Sequence, residues 1–106
     1  RGLIGDVAIV DTVDALRLEE GRLPPVLYVP LADVRADLLS PTDHSTYCGL
    51  KGDANYYSLR LSDGRVFENA VWQYSHPKAG LDQLSHRVAF YGHVIDRWVE
   101  DEEEAA

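Results

Sequence analysis

Tyr56-Tyr57-Ser58-Leu59-Arg60-Leu61-Ser62-Asp63-Gly64-Arg65-Val66-Phe67-Glu68-Asn69-Ala70-Val71-Trp72-Gln73-Tyr74 is the stretch that decides the fold class. Tyr56 to Leu61 and Arg65 to Tyr74 are rich in aromatic and apolar residues and carry no helical stripe, so both read as strands. Ser62-Asp63-Gly64 between them is a three-residue hairpin loop in which Gly64 can take a positive φ. Side chains alternate across a strand. Val66, Glu68, Ala70, Trp72 and Tyr74 therefore share one face, and Phe67, Asn69, Val71 and Gln73 the other.

Outward from this hairpin the period of two persists. Asp6 to Val10, Ala15 to Glu19 and Val26 to Val29 read as strands, the last stopped by Pro30, with a Gly- and Pro-broken loop from Gly21 to Pro25. Pro30 to Val34 reads as a single helical turn with proline at its start. Asp37 to Leu39 reads as extended, and Ser40-Pro41-Thr42-Asp43 as a turn. Ser75 to Ser85 is a loop with room for one more helical turn. Val88 to Tyr91 and Val94 to Trp98 read as a second hairpin about Gly92-His93. The expected architecture is mainly β, with compact antiparallel sheets and one or two short helical turns. It forms a single β domain over residues 1–99, followed by an acidic tail over 100–106.

A chain of 106 residues suits one domain. Its net charge is −8, but Glu100 to Glu104 supplies five of the acidic residues, which leaves the body at about −3. The ten Lys and Arg residues are scattered and never adjacent. Duplex nucleic acid is bound by clustered cations that displace counterions, so no nucleic-acid partner is expected. Cys48 stands alone, which rules out an intramolecular disulfide and a multi-cysteine zinc site and suits a reducing compartment. No apolar run approaches the roughly 20 residues that span a bilayer, and no charged-then-apolar leader opens the chain. These features point to a cytoplasmic protein without a membrane partner.

Reactive residue types concentrate between Thr42 and Asp53, in Asp43-His44-Ser45-Thr46-Tyr47-Cys48-Gly49-Leu50-Lys51-Gly52. The bland reading is an ordinary polar loop and edge strand. A thiol at its ordinary pKa of about 8.5 is only a few per cent thiolate near neutrality. A cation at about 4 Å supplies enough field to change that, and Lys51 is three residues from Cys48 across a Gly-containing bend. His44 is a poor base for Cys48, because an extended chain separates the two by about 13 Å, beyond the reach a nucleophile and its base require. His76, His86 and His93 are equivalent alternatives, and a buried, inert thiol is the simpler reading. Asp43, His44, Asp53, Glu68 and His76 could be gathered round a metal, yet no ligand spacing such as His-Glu-x-x-His occurs; neither metal nor cofactor is expected. Gly49-Leu50-Lys51-Gly52 lacks the phosphate-loop spacing, which leaves Lys51 as a point charge for an anionic ligand. Glu68 faces the same way as Trp72 and Tyr74. It is either part of a structural ion pair or an exposed edge, or it joins Lys51 in a pocket with aromatic walls.

The run Pro41-Thr42-Asp43-His44-Ser45-Thr46-Tyr47-Cys48-Gly49-Leu50-Lys51-Gly52-Asp53-Ala54-Asn55-Tyr56 resembles the signature of domain-of-unknown-function family 427, found mostly in bacteria. Glu68 to Tyr74, Val88 to Tyr91, Tyr28-Val29-Pro30, Asp33-Val34 and Asp37-Leu38-Leu39 are similar to its other motifs in order and approximate spacing, so the resemblance covers nearly the whole chain. It implies a compact structure of β-tent type, a group that includes the B-type methionine sulfoxide reductases and the ligand-binding domain of cereblon. The paired Cys-x-x-Cys knuckles that hold zinc in several β-tent proteins are absent here, so zinc does not carry over, and the reductase constellation is not recognisable. The family is sometimes labelled nucleotidyltransferase-like, but the paired carboxylates and Gly-Ser loop of that chemistry are missing. Members usually open with a strand before a Gly-containing turn. That turn falls near Gly5 here, so the first strand is expected to be shortened or absent. The acidic ending resembles members in which the domain is part of a longer protein.

Three functional readings follow. The leading one is a small-molecule pocket built from Asp43, His44, Thr46, Cys48 and Lys51 with Glu68, Trp72 and Tyr74. The second is an enzyme using Cys48 or His44, with Lys51 as a further catalytic candidate, on a nucleotide-like or carbonyl substrate. The third is a structural or interaction module without a ligand.

Overall fold

The computed structural model describes residues 1–19 and 21–99; the acidic stretch 100–106 lies outside the described residues. Among the described residues nine strands follow one another: β1 (Gly2–Ile4), β2 (Val7–Val10), β3 (Leu16–Leu18), β4 (Val26–Pro30), β5 (Leu39–Cys48), β6 (Gly52–Arg60), β7 (Val66–Gln73), β8 (Arg87–Phe90) and β9 (Arg97–Trp98). They form two antiparallel sheets, one of order β2-β1-β9 and one of order β3-β4-β8-β7-β6-β5. Short 3-10 turns cover Leu31–Asp33, Ala36–Leu38 and Asp82–Leu84. The domain is mainly β, as its periodicity predicts, with three such turns among the described residues rather than one or two. No helix among the described residues is long and apolar enough to cross a membrane.

The β6–β7 hairpin is where the sequence places it. Leu61 and Arg65 close the loop, with Leu61 N–H donating to Arg65 O at 2.9 Å and Gly64 N–H to Leu61 O at 3.0 Å. Gly64 has φ +95°, the left-handed conformation the short loop requires. A first apolar cluster packs the small sheet on the large one: Ile4, Ile9 and Val10 meet Val29, Leu59, Val71 and Val88, with Val94 and Ile95. A second cluster lies on the opposite face of the large sheet and contains Tyr28, Ala54, Tyr56, Tyr74, Leu84 and Ala89.

Three expectations are corrected. Ser40 to Asp43 is not a turn; it lies within the ten-residue edge strand β5. Proline is tolerated there because an edge strand leaves one side of its backbone unpaired. Asp37 and Leu38 belong to a 3-10 turn, and the extended chain starts at Leu39. Val88 to Trp98 is not a hairpin. After β8 the chain turns at Tyr91–Val94, where Val94 N–H donates to Tyr91 O at 3.0 Å, and leaves the large sheet to pair β9 with β1. Burying Val94 and Ile95 between the sheets favours that exit. The first strand, expected to be shortened or absent, is three residues long and ends at the Gly5 turn with φ +59°.

Candidate functional site

The two informative stretches of sequence flank one strand, and both depart from regular pairing. On β5, Pro41 opposes Tyr57 and Ser45 opposes Asn55, so Thr42, Asp43 and His44 together face only Tyr56. On β7, Phe67 opposes Leu59 and Val71 opposes Tyr57, so Glu68, Asn69 and Ala70 face only Ser58. Each is a bulge, which bends the strand and re-aims its side chains. Asn69 takes φ +50°, a conformation asparagine tolerates better than most residues. The two bulges meet across β6. Thr42 Oγ1 lies 2.7 Å from Asn69 Oδ1 and 3.4 Å from Tyr56 O. One hydroxyl proton serves one acceptor, and the shorter contact takes it. Thr42 Oγ1 in turn accepts from His44 N–H at 3.2 Å, and Ser58 Oγ accepts from Asn69 N–H at 3.1 Å.

Tyr56 is the centre of this arrangement. Its ring lies 4.5 Å from that of His44, and its hydroxyl is 2.9 Å from Thr46 Oγ1. Its phenol acts on the neighbouring Tyr91, which that influence, reinforced by burial, holds above its ordinary pKa. Tyr91 packs on Trp72 with ring centroids 4.8 Å apart. Trp72 Nε1–H donates to Tyr28 OH at 3.3 Å, and the Tyr28 ring meets Trp72 edge-on. Tyr56 thus stands between Thr46 on the edge strand and the Tyr91–Trp72 aromatic surface on the far side of β7.

That surface walls a groove of about 730 Å³. Trp72, Phe90, Tyr91 and Trp98 supply aromatic lining, and Leu23, Pro24, Pro25 and Val26 supply the opposing wall. Trp98 is set by β9 against β1, where Gly2 stands opposite it; a Cβ on Gly2 would come within 2.9 Å of the indole.

Of the residues chosen from sequence, only Trp72 lines this groove. Tyr74 is buried in the second cluster. Asp43 and His44 are exposed on the β5 bulge, and Thr46 is exposed further along β5. Lys51 is 5% exposed; its backbone is held by Lys51 N–H to Cys48 O at 3.2 Å and Lys78 N–H to Lys51 O at 2.9 Å. Its Nζ lies 4.0 Å from the half-buried Cys48 Sγ. The envisaged Lys51–Glu68 pair is not formed. Glu68 is exposed opposite Ser58, and Lys51 adjoins Gly52, six residues earlier on β6 and about 20 Å away. Face alternation groups Glu68 with Trp72 and Tyr74 but says nothing of its distance from Lys51. Thr42, Asn69, Tyr56 and Tyr91 were not singled out from sequence. All four fall within the stretches that resemble the family's motifs, but nothing in their residue types marked them as candidate site residues. Among the described residues, no three His, Cys, Asp or Glu side chains gather as metal ligands would.

A family model described as domain of unknown function (DUF427) matches residues 1–101. No curated protein matches the chain.

Proposed function

The chain belongs to the DUF427 family, and from that premise we propose that it is a small-molecule-binding β domain whose ligand occupies the groove walled by Trp72 and Tyr91. The groove itself carries the reading: about 730 Å³, mainly apolar, within the range of roughly 300–1,000 Å³ typical of ligand sites. Two successive prolines fix one wall, which lowers the ordering cost of binding. The β5 motif serves this site indirectly, through Thr46 and Tyr56 to Tyr91.

A thermal-shift screen of metabolites tests it. A ligand at 100 times its dissociation constant stabilises by about 2.7 kcal/mol. The shift is expected to shrink in Leu23→Ser, whose side chain is a 67%-exposed wall residue with little structural role, and to persist in Lys51→Met. A shift insensitive to Leu23→Ser but lost in Lys51→Met would overturn the reading.

The proximity of Lys51 Nζ to Cys48 Sγ favours a second reading, an enzyme with a cation-activated thiol. It requires rapid iodoacetamide alkylation of Cys48 with a midpoint below about pH 7; sluggish labelling removes it.

A further inference from the structure

The polarity of the groove lining narrows the ligand class. One of its aromatic walls has already committed its polar group inward, Trp72 Nε1–H to Tyr28 OH. That wall presents ring faces and edges, not a free donor. Among the described residues Arg17 is the one charged side chain in the lining. Its guanidinium meets Glu19 through Nε alone, at 3.2 Å, and its two terminal nitrogens carry no hydrogen bond among the described residues. Both partners of that pair are more than 60% exposed, so the pair holds Arg17 weakly and leaves its fork available. Aromatic walls alone would also suit an organic cation, but Arg17 in the same lining repels one. A single guanidinium on a body of about −3 matches one negative charge better than the two of a phosphate monoester.

Building on the groove reading above, we propose that the ligand is a planar aromatic carboxylate, with its rings on Trp72 and Tyr91 and its carboxylate paired to the terminal nitrogens of Arg17. Calorimetric titration of the whole chain with naphthoate, its uncharged amide and the corresponding naphthylmethylammonium tests this. Naphthoate is expected to bind about fivefold more tightly than the amide, the upper end for an exposed ion pair, and the ammonium more weakly than either. Arg17→Gln is expected to erase the preference, with naphthoate affinity falling to that of the amide; the residue is exposed, so folding is not at stake. Equal binding of naphthoate and amide, a preference that survives Arg17→Gln, or tighter binding of the ammonium would overturn the carboxylate assignment and leave the groove standing. If no probe binds, and the chain instead forms a concentration-dependent dimer that Leu23→Glu disperses, the groove is a self-interface and both readings fail.

Discussion

Thr42 and Asn69 each depart from what strand periodicity asks of them, and their one short hydrogen bond ties the two bulges together. Thr42→Val removes the donor and is expected to cost about 0.5–1.5 kcal/mol. Asn69→Ala loses the acceptor and adds left-handed backbone strain, so about 1–3 kcal/mol is expected, with Asn69→Gly cheaper because it relieves the strain. Urea midpoints at constant m check both, and a double-mutant cycle should show coupling between positions 42 and 69. Tyr91 gives a pH prediction with a definite sign. Its folded pKa is raised, chiefly by the neighbouring Tyr56 side chain, so the stabilisation is fully present below the ordinary phenol value of about 10 and is lost as pH rises through the raised value. Difference ultraviolet titration against Tyr91→Phe should assign a late-ionising phenol to Tyr91, and Tyr56→Phe should bring it closer to ordinary behaviour.

Among the elements, the β6–β7 hairpin was legible because its signals are local: alternation, β-forming residues and a glycine where positive φ is needed. β8 and β9 were misassigned for the converse reason. Two apolar runs about Gly92-His93 carry a hairpin's local pattern, and only burial of Val94 and Ile95 between the sheets sends the second run to a different partner. Ser40 to Asp43 likewise has the composition of a turn, and its place on an unpaired edge is a fact of sheet order. The β1–β9 pairing positions the Trp98 wall of the groove, and Gly2 is where it is most sensitive. Gly2→Ala would push a methyl into the indole, so it is expected to destabilise by about 1–3 kcal/mol as overpacking does. It should also change the fluorescence of one of the two tryptophans, and any groove ligand should bind more weakly. Unchanged emission would mean that Trp98 is not seated as described.

Across the whole molecule, the residue types that drew notice in the sequence and the concave surface of the fold are in different places. Lys51, Cys48 and Tyr74 attracted attention as reactive or aromatic, yet they pack at the β5–β6 turn and in the second cluster. The groove is lined chiefly by prolines, leucines and aromatics, residue types common to any β domain. Sequence composition ranks chemistry, whereas concavity depends on which sheets stop short of covering one another, so Trp72 alone was common to both. Lys51 separates the two descriptions most sharply. Its stem is buried and its backbone is fixed from both sides by Cys48 and Lys78. Truncation to Ala should cost about 2–5 kcal/mol in packing and polar contacts together, of which Met, which keeps most of the stem, should recover the packing share. Neither variant touches the groove lining, so both should retain groove affinity when measured well below their own unfolding midpoints. Calorimetry at low temperature on Lys51→Ala decides the matter: intact affinity with a lowered midpoint makes Lys51 a residue of the fold, and lost affinity with an unchanged midpoint would return it to the binding site.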